Sequence, residues 1–295
     1  MINRGSTLRA LVETLRPQQW VKNGFIFAAL IFSQSLTRWD RCRQEVLAAL
    51  VFCVISSATY IMNDILDAPE DRHHPIKRLR PIASGRLSVT TAAVVGLVLG
   101  FGGLLAAWKL DHRFFAIVVS YLAVNTMYST FLKRVVLLDV FIVAAGFLFR
   151  VVAGGVVIHV PISPWLIVCT TLLALFIALS KRRHELVLLG DHASDHRAIL
   201  ADYTPYFLDQ LISIVTASTV VSYALYTLSP DVQNKFPGKR LELTIPFVLF
   251  GIFRYLHLIH HGEQGGNPTR SLFTDPVLFS VVLFWAAAVI LIIYL

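Results

Sequence analysis

About nine apolar stretches follow one another along this chain, and that succession limits what it can fold into more than any other feature. They lie near 23–36, 46–63, 89–108, 114–131, 137–158, 164–180, 211–229, 243–261 and 277–295. A helix needs about 20 mostly apolar residues to cross a hydrocarbon core. It also satisfies its own backbone polar groups, which lipid cannot do. Composition agrees: 56% of the 295 residues are hydrophobic and only 15% are charged, with a mean hydropathy of +0.67. That is too little charge to cover a soluble domain of this length. The chain therefore reads as an all-α, polytopic membrane protein forming a single domain over residues 1–295. The first stretch has the weakest pattern, with Lys22 and Asn23 at its edge. No cleavable signal peptide is expected, because the first apolar run starts late and leads into others. Cys42, Cys53 and Cys169 show neither metal-site spacing nor a pairing pattern.

Lys and Arg in the connections predict the orientation. With the N-terminus cytoplasmic, one face receives Arg4, Arg9, Arg16 and Lys22, then Arg72, Lys77, Arg78, Arg80 and Arg86, and further cations from later even-numbered connections. That face holds about twice the basic residues of the other. The expectation is a multi-pass protein of the cell inner (plasma) membrane with its N-terminus inside and its C-terminus outside. The formal charge of +8 then reflects topology together with anionic ligands. Nucleic acid is not expected as a partner, since no basic soluble domain is available to carry it.

The second stretch ends in Asn63-Asp64-x-x-Asp67-x-x-x-Asp71. At about 100° per residue, the three aspartates fall within about 60° of one another on a helix. Pro69 requires the helix to bend or to have begun unwinding there. Like charges on one face of a membrane helix repel and are costly to desolvate. A divalent cation removes that cost, and Mg²⁺ takes hard oxygen ligands while sharing its coordination with phosphates. The alternative is a solvated acidic helix end. A cationic run follows, with Lys77, Arg78, Arg80 and Arg86, suited to a polyanion partly bridged by metal. Positive-inside anchoring is the plainer use of those cations. His73 and His74 are adjacent and point apart on a helix, so they make a poor metal pair.

A second constellation comprises Tyr128, Lys133 and Asp139, two spans later and on the same expected face. Asp139 opens an apolar stretch and needs a partner or a metal, with Lys133 the simplest partner. Arg150 lies inside a stretch and must face protein or a wet cavity. The third cluster is Lys181, Arg182, Arg183, His184 and Glu185. All three are expected to meet at the cytoplasmic face. Asp191, Asp195, His196 and Asp202 read as decoration of a solvated loop. A transporter reading would require charge in the middle of several spans and discontinuous helices in both halves, and the charges here gather at one face.

The Asn63-to-Asp71 segment resembles the first acidic motif of the UbiA superfamily of intramembrane prenyltransferases. Tyr128, Lys133 and Asp139 resemble the tyrosine–lysine–aspartate pattern of its decaprenyl-phosphate phosphoribosyltransferase subgroup, rather than the paired aspartates of quinone-pathway members. Arg16-Pro17-Gln18-Gln19-Trp20, the Lys77-to-Gly85 run and Gly146-to-Arg150 are similar to the same subgroup. The resemblance implies a helical bundle around a cytoplasm-facing cavity. It also implies transfer of 5-phosphoribosyl from phosphoribosyl diphosphate to a polyprenyl phosphate lipid, with Mg²⁺, for synthesis of a cell-envelope arabinose donor. Asn63, Asp64, Asp67 and Asp71 are then the metal and diphosphate residues, and Lys77, Arg78 and Arg80 contact the sugar donor. Asp139 adds a second metal contact or holds ribose hydroxyls, with Tyr128 and Lys133 near the leaving group. Lys22, Arg150, Lys181 and Arg182 are candidates for the lipid phosphate or the 5-phosphate. Ordinary prenyl transfer to an aromatic or other small acceptor is the competing reaction, and a homo-oligomer is compatible with either.

Overall fold

The computed structural model describes residues 4–73, 75–189, 198–261 and 268–295, all helix or connection with no strand among them. Seven of the described helices are long and apolar enough to cross a membrane. The expected nine is therefore approximate. The chain divides into two compact units, and the first holds residues 1–30, 38–142 and 149–161.

The first unit begins with α1 (Arg4–Leu15). A 3₁₀ segment, Pro17–Phe27, follows, then the short α2 (Ala28–Phe32). The stretch near 23–36 is thus not one continuous spanning helix. Pro17 starts the turn with its φ preset, and Lys22, Asn23 and Gly24 are poor filling for a lipid-exposed α-helix. The segment uses its threefold repeat instead. At three residues per turn, Trp20, Asn23 and Ile26 share a face, and Asn23 and Ile26 are buried.

Next come α3 (Trp39–Asp71), α4 (Val89–Leu110), α5 (His112–Thr130) and α6 (Leu138–Val157). α3 continues through Pro69 to Asp71 rather than unwinding there, so the acidic residues stay on helical spacing. α5 matches the spanning helices in length but carries Ser120, Asn125, Thr126 and Ser129. Asp111 starts it by accepting from the Phe114 N–H at 2.8 Å.

α3 and α4 approach closely because α4 turns small residues toward its neighbour. Ala92 and Ala107 are fully buried, and Gly96 and Gly103 complete the same stripe. A Cβ on Gly96 would lie 3.2 Å from Ile61 Cγ2, and one on Gly103 would lie 2.7 Å from Ile55 Cδ1. The opposite face exposes Leu97, Val98, Phe101 and Leu105, as a lipid-facing surface should.

The second unit holds residues 31–37, 143–148 and 162–295. Its helices are α7 (Pro164–Leu189), α8 (Pro205–Leu228), α9 (Pro230–Lys235), α10 (Ile245–His261), α11 (Pro268–Thr274) and α12 (Pro276–Tyr294). Thr204, Ser229 and Asp275 cap α8, α9 and α12, each accepting a backbone N–H three residues on. Tyr223 ties α8 inward: it accepts from Trp285 Nε1 at 2.9 Å and shares a 2.6 Å hydrogen bond with Thr244.

Gly103→Val should cost about 1–3 kcal/mol by overpacking and lower the thermal midpoint in detergent. Gly100→Ala, where an added Cβ meets nothing within 4 Å, should leave the midpoint unchanged or slightly raised. Equal effects at the two positions would refute the close α3–α4 approach.

Candidate active site

The acidic end of α3 is neutralised carboxylate by carboxylate. Asp64 and Asp71 are 2% and 4% exposed, a depth at which a bare charge costs several kcal/mol. Arg80 donates from Nη1 to both, at 3.1 Å to Asp64 Oδ1 and 2.6 Å to Asp71 Oδ2. Arg16 Nη2 reaches the same Asp64 oxygen at 2.5 Å. Asp67 faces Lys133, whose Nζ lies 2.6 Å from Oδ1, and it accepts from Asn63 Nδ2 at 3.0 Å through Oδ2. Lys133 of the second constellation therefore joins the acidic segment within the first unit. Lys133 is the partner of Asp67, not of Asp139, because the connection after α5 returns it to the α3 face.

Two anchors aim the basic run. Ile82 and Leu87, each 2% exposed, join Ala10, Ile61, Ala68 and Ala92 in one apolar cluster. Gly85 turns the chain between them at φ +77°, a region costly for a residue with a Cβ. Arg86 fixes the far side through two hydrogen bonds to Glu13, at 2.9 and 3.0 Å, which hold its proton more tightly than usual. Arg80 is thereby aimed at the acids. Lys77 is half-buried and Arg78 exposed.

Arg16 is the site residue that sequence reasoning missed, having counted it only as an anchoring cation and part of a resemblance. It takes φ +52°, ψ +57° immediately before Pro17 and lies 5.3 Å from the Tyr60 ring centroid. Leu137, two residues before Asp139, has φ +67°. Left-handed backbone at bulky residues is retained where surroundings over-determine it, often at functional sites. The pre-proline position of Arg16 was the available signal.

Below the acids, α3 continues its inward face as a polar seam against the 3₁₀ segment. Trp20 Nε1 donates to Ser57 Oγ at 3.0 Å, and Asn23 Nδ2 approaches Cys53 Sγ at 3.2 Å and Ser56 Oγ at 3.5 Å. Arg150, 4% exposed, donates from Nε to Asn23 Oδ1 at 2.7 Å and from Nη2 to Tyr121 OH at 3.2 Å. Its guanidinium also lies 5.2 Å from the Tyr121 ring centroid and 5.9 Å from that of Phe52. As expected of an arginine inside a span, it faces protein.

The remaining expected residues take varied places. Asp139 is fully buried in the first turn of α6, where the helix dipole favours a carboxylate. Tyr128 and Lys22 are half-buried. Lys181 and Arg182 belong to the second unit, where both pair with Glu185 and Arg183 pairs with Asp209. Asp202 is exposed. His74, Asp191, Asp195 and His196 lie outside the described residues.

No group of three or more His, Cys, Asp or Glu side chains among the described residues is gathered as a ready-made metal cage. Mg²⁺ keeps several waters and takes one or two carboxylates beside substrate phosphates. Asp64, Asp67 and Asp71 offer the right hard oxygens, each paired with a cation that also has affinity for phosphate.

Residues 24–198 match the UbiA prenyltransferase family. This chain belongs to that family. It is 32% identical to the decaprenyl-phosphate phosphoribosyltransferase of Mycobacterium tuberculosis over 284 residues, covering 95% of this chain and 92% of that one. The enzyme of the same name from Corynebacterium glutamicum is also 32% identical, over 97% of this chain and 87% of its own. Among solved structures, a UbiA homologue from Archaeoglobus fulgidus bound to GPP and Mg²⁺ superposes with a TM-score of 0.73 at 16% identity, covering 97% of this chain and all of that one. At that identity the likeness shows the UbiA fold.

In this UbiA protein Arg80 serves two buried carboxylates and Arg16 serves one of them. Arg80→Met should therefore cost about 3–5 kcal/mol, and Arg16→Met about 2 kcal/mol, the loss of one charged hydrogen bond. Thermal unfolding of metal-free protein in detergent should rank them in that order. The reverse order would contradict the bridging role.

Proposed function

We propose that this chain transfers 5-phosphoribosyl from phosphoribosyl diphosphate to a polyprenyl phosphate of decaprenyl type and releases diphosphate, supplying a cell-envelope arabinose donor. The supporting observation is the likeness to enzymes of that name along nearly the whole chain. The proposal extends to residues 1–295 acting as one transferase domain in the plasma membrane, with the N-terminus and the acidic site on the cytoplasmic side. The distribution of Lys and Arg supports that orientation.

The reaction forms a bond from a lipid phosphate oxygen to C1 of the sugar and breaks the bond from C1 to the diphosphate oxygen. Both electrons of the broken bond leave with the diphosphate, while C1 develops cationic character. An anionic phosphate needs little deprotonation, so the task is electrostatic and positional. Mg²⁺, held by Asn63, Asp64, Asp67 and Asp71, would supply Lewis acidity toward the departing diphosphate. Arg80 and Arg16 exchange carboxylate oxygens for phosphate oxygens as the donor binds, joined by Lys77 and Arg78. Lys133, bound to Asp67, stands where charge collects on the leaving group, with Tyr128 nearby in sequence. Asp139 orients the ribose hydroxyls or adds a metal contact. Lys22 and the Asn23–Arg150 pair hold the lipid phosphate below the sugar, and Lys181 and Arg182 remain candidates for the 5-phosphate.

The test is a paired donor assay on purified protein in lipid nanodiscs. Labelled phosphoribosyl diphosphate with a polyprenyl phosphate should give labelled lipid and free diphosphate, and a prenyl diphosphate with 4-hydroxybenzoate should give nothing. The opposite pattern would establish ordinary prenyl transfer. EDTA should stop the first reaction and added Mg²⁺ restore it. Asp64→Ala should lower turnover by at least about a thousandfold, on the scale of removing a principal electrostatic group, while eluting as folded protein. Near-normal turnover in that variant would remove the acidic segment from the mechanism.

A further inference from the structure

Glu45 lies far from the acidic site, 19 residues before Asp64 on the same helix, or about 28 Å along its axis. It is 0% exposed, and neither carboxylate oxygen has a hydrogen-bond partner. No cation among the described residues hydrogen-bonds to it, although Arg41 and Arg43 lie on the same helix end. An ionised carboxylate without a partner at this depth would cost several kcal/mol or more. Its surroundings are specific. A Cβ built on Gly154 would lie 2.1 Å from the Ile26 carbonyl oxygen and 2.8 Å from Glu45 Oε1. Both oxygens therefore flank one glycine, no farther apart than the sum of those two distances. Two unscreened oxygens brought to one glycine in an apolar interior repel unless one of them carries a proton, and a carbonyl oxygen has two lone pairs with which to accept it.

The location gives this contact a role. Ile26 is one 3₁₀ turn beyond Asn23, and Gly154 is one α-turn beyond Arg150, so this glycine and carbonyl lie one turn along from the Asn23–Arg150 hydrogen bond, on the same two segments. We propose that Glu45 is a neutral carboxylic acid that donates its proton to the Ile26 carbonyl, latching the 3₁₀ segment to α3 and α6 at the depth where Asn23 meets Arg150. Glu45 is a positioning residue: it acts through Ile26 and Asn23 and touches no substrate. Gly154 is required because any side chain there would collide with the Ile26 carbonyl oxygen and press on Glu45 Oε1.

The primary test is infrared spectroscopy of the purified protein in nanodiscs at neutral pH. The difference spectrum between wild type and Glu45→Gln should show loss of a carboxylic-acid C=O stretch, at higher frequency than the amide I band. Loss of a carboxylate stretch instead would show Glu45 ionised and overturn the proposal. The second arm is kinetic and rests on the transferase reading. Glu45→Gln keeps a donor for the carbonyl and should leave the KM for polyprenyl phosphate within twofold. Glu45→Leu and Gly154→Ala should raise that KM about tenfold or more while shifting the KM for phosphoribosyl diphosphate less than twofold. If Glu45→Leu fails to fold, Glu45→Gln and Gly154→Ala still decide. Equal damage from Glu45→Gln and Gly154→Ala would overturn the latch. If the protein lacks phosphoribosyl transfer, the infrared result stands independently of that failure.

Discussion

Arg80 placed between two buried aspartates is the interaction on which the rest of the site depends. Carboxylates at 2% and 4% exposure could not stay ionised on one helix face without a cation to share, and a guanidinium presents enough donors for two acceptors. The loop carrying Arg80 must then be held against α3. Buried Ile82 and Leu87, the left-handed turn at Gly85 and the Arg86–Glu13 pair all serve that end. Arg16 and Lys133 complete a pattern in which acids and bases alternate. An anion entering this lattice meets cations already partly buried and aimed, so less of its binding energy is spent on reorganisation.

The 3₁₀ segment extends the same logic into the span. A lone arginine within a membrane helix is expensive, and here its neighbours are an amide, a phenol and two aromatic faces. The threefold repeat places Trp20, Asn23 and Ile26 along one line, and the first two meet successive levels of α3. An α-helix of the same residues would rotate them off that line.

What the sequence revealed, and what it hid, follows from the range of each interaction. The spacing of Asp64, Asp67 and Asp71 was legible because helical geometry is local, and the helix even continues through Pro69. The stretch near 23–36 is a 3₁₀ segment and a short α-helix instead of one continuous helix, a difference that apolar content does not reveal when polar residues are used internally. Lys133 was paired with Asp139, six positions away, whereas its partner is Asp67, 66 positions away. Arg16 lies 48 residues from Asp64, and only its place before Pro17 marked it as unusual. Glu45 gave no signal, since a single carboxyl near a helix start ordinarily faces water.

The length of α3 has a consequence of its own. Its 33 residues span about 50 Å, well beyond a hydrocarbon thickness of about 30 Å. In the proposed orientation the helix works as a mast that lifts its acidic tip out of the oil into the headgroup zone. On the proposed reaction, a lipid anchored by its tail carries its phosphate at that same level, so its search for the enzyme becomes a walk in a plane instead of a volume. On the proposed reaction, the water-soluble sugar needs only to land on the tip of the mast, and neither reactant leaves its own phase.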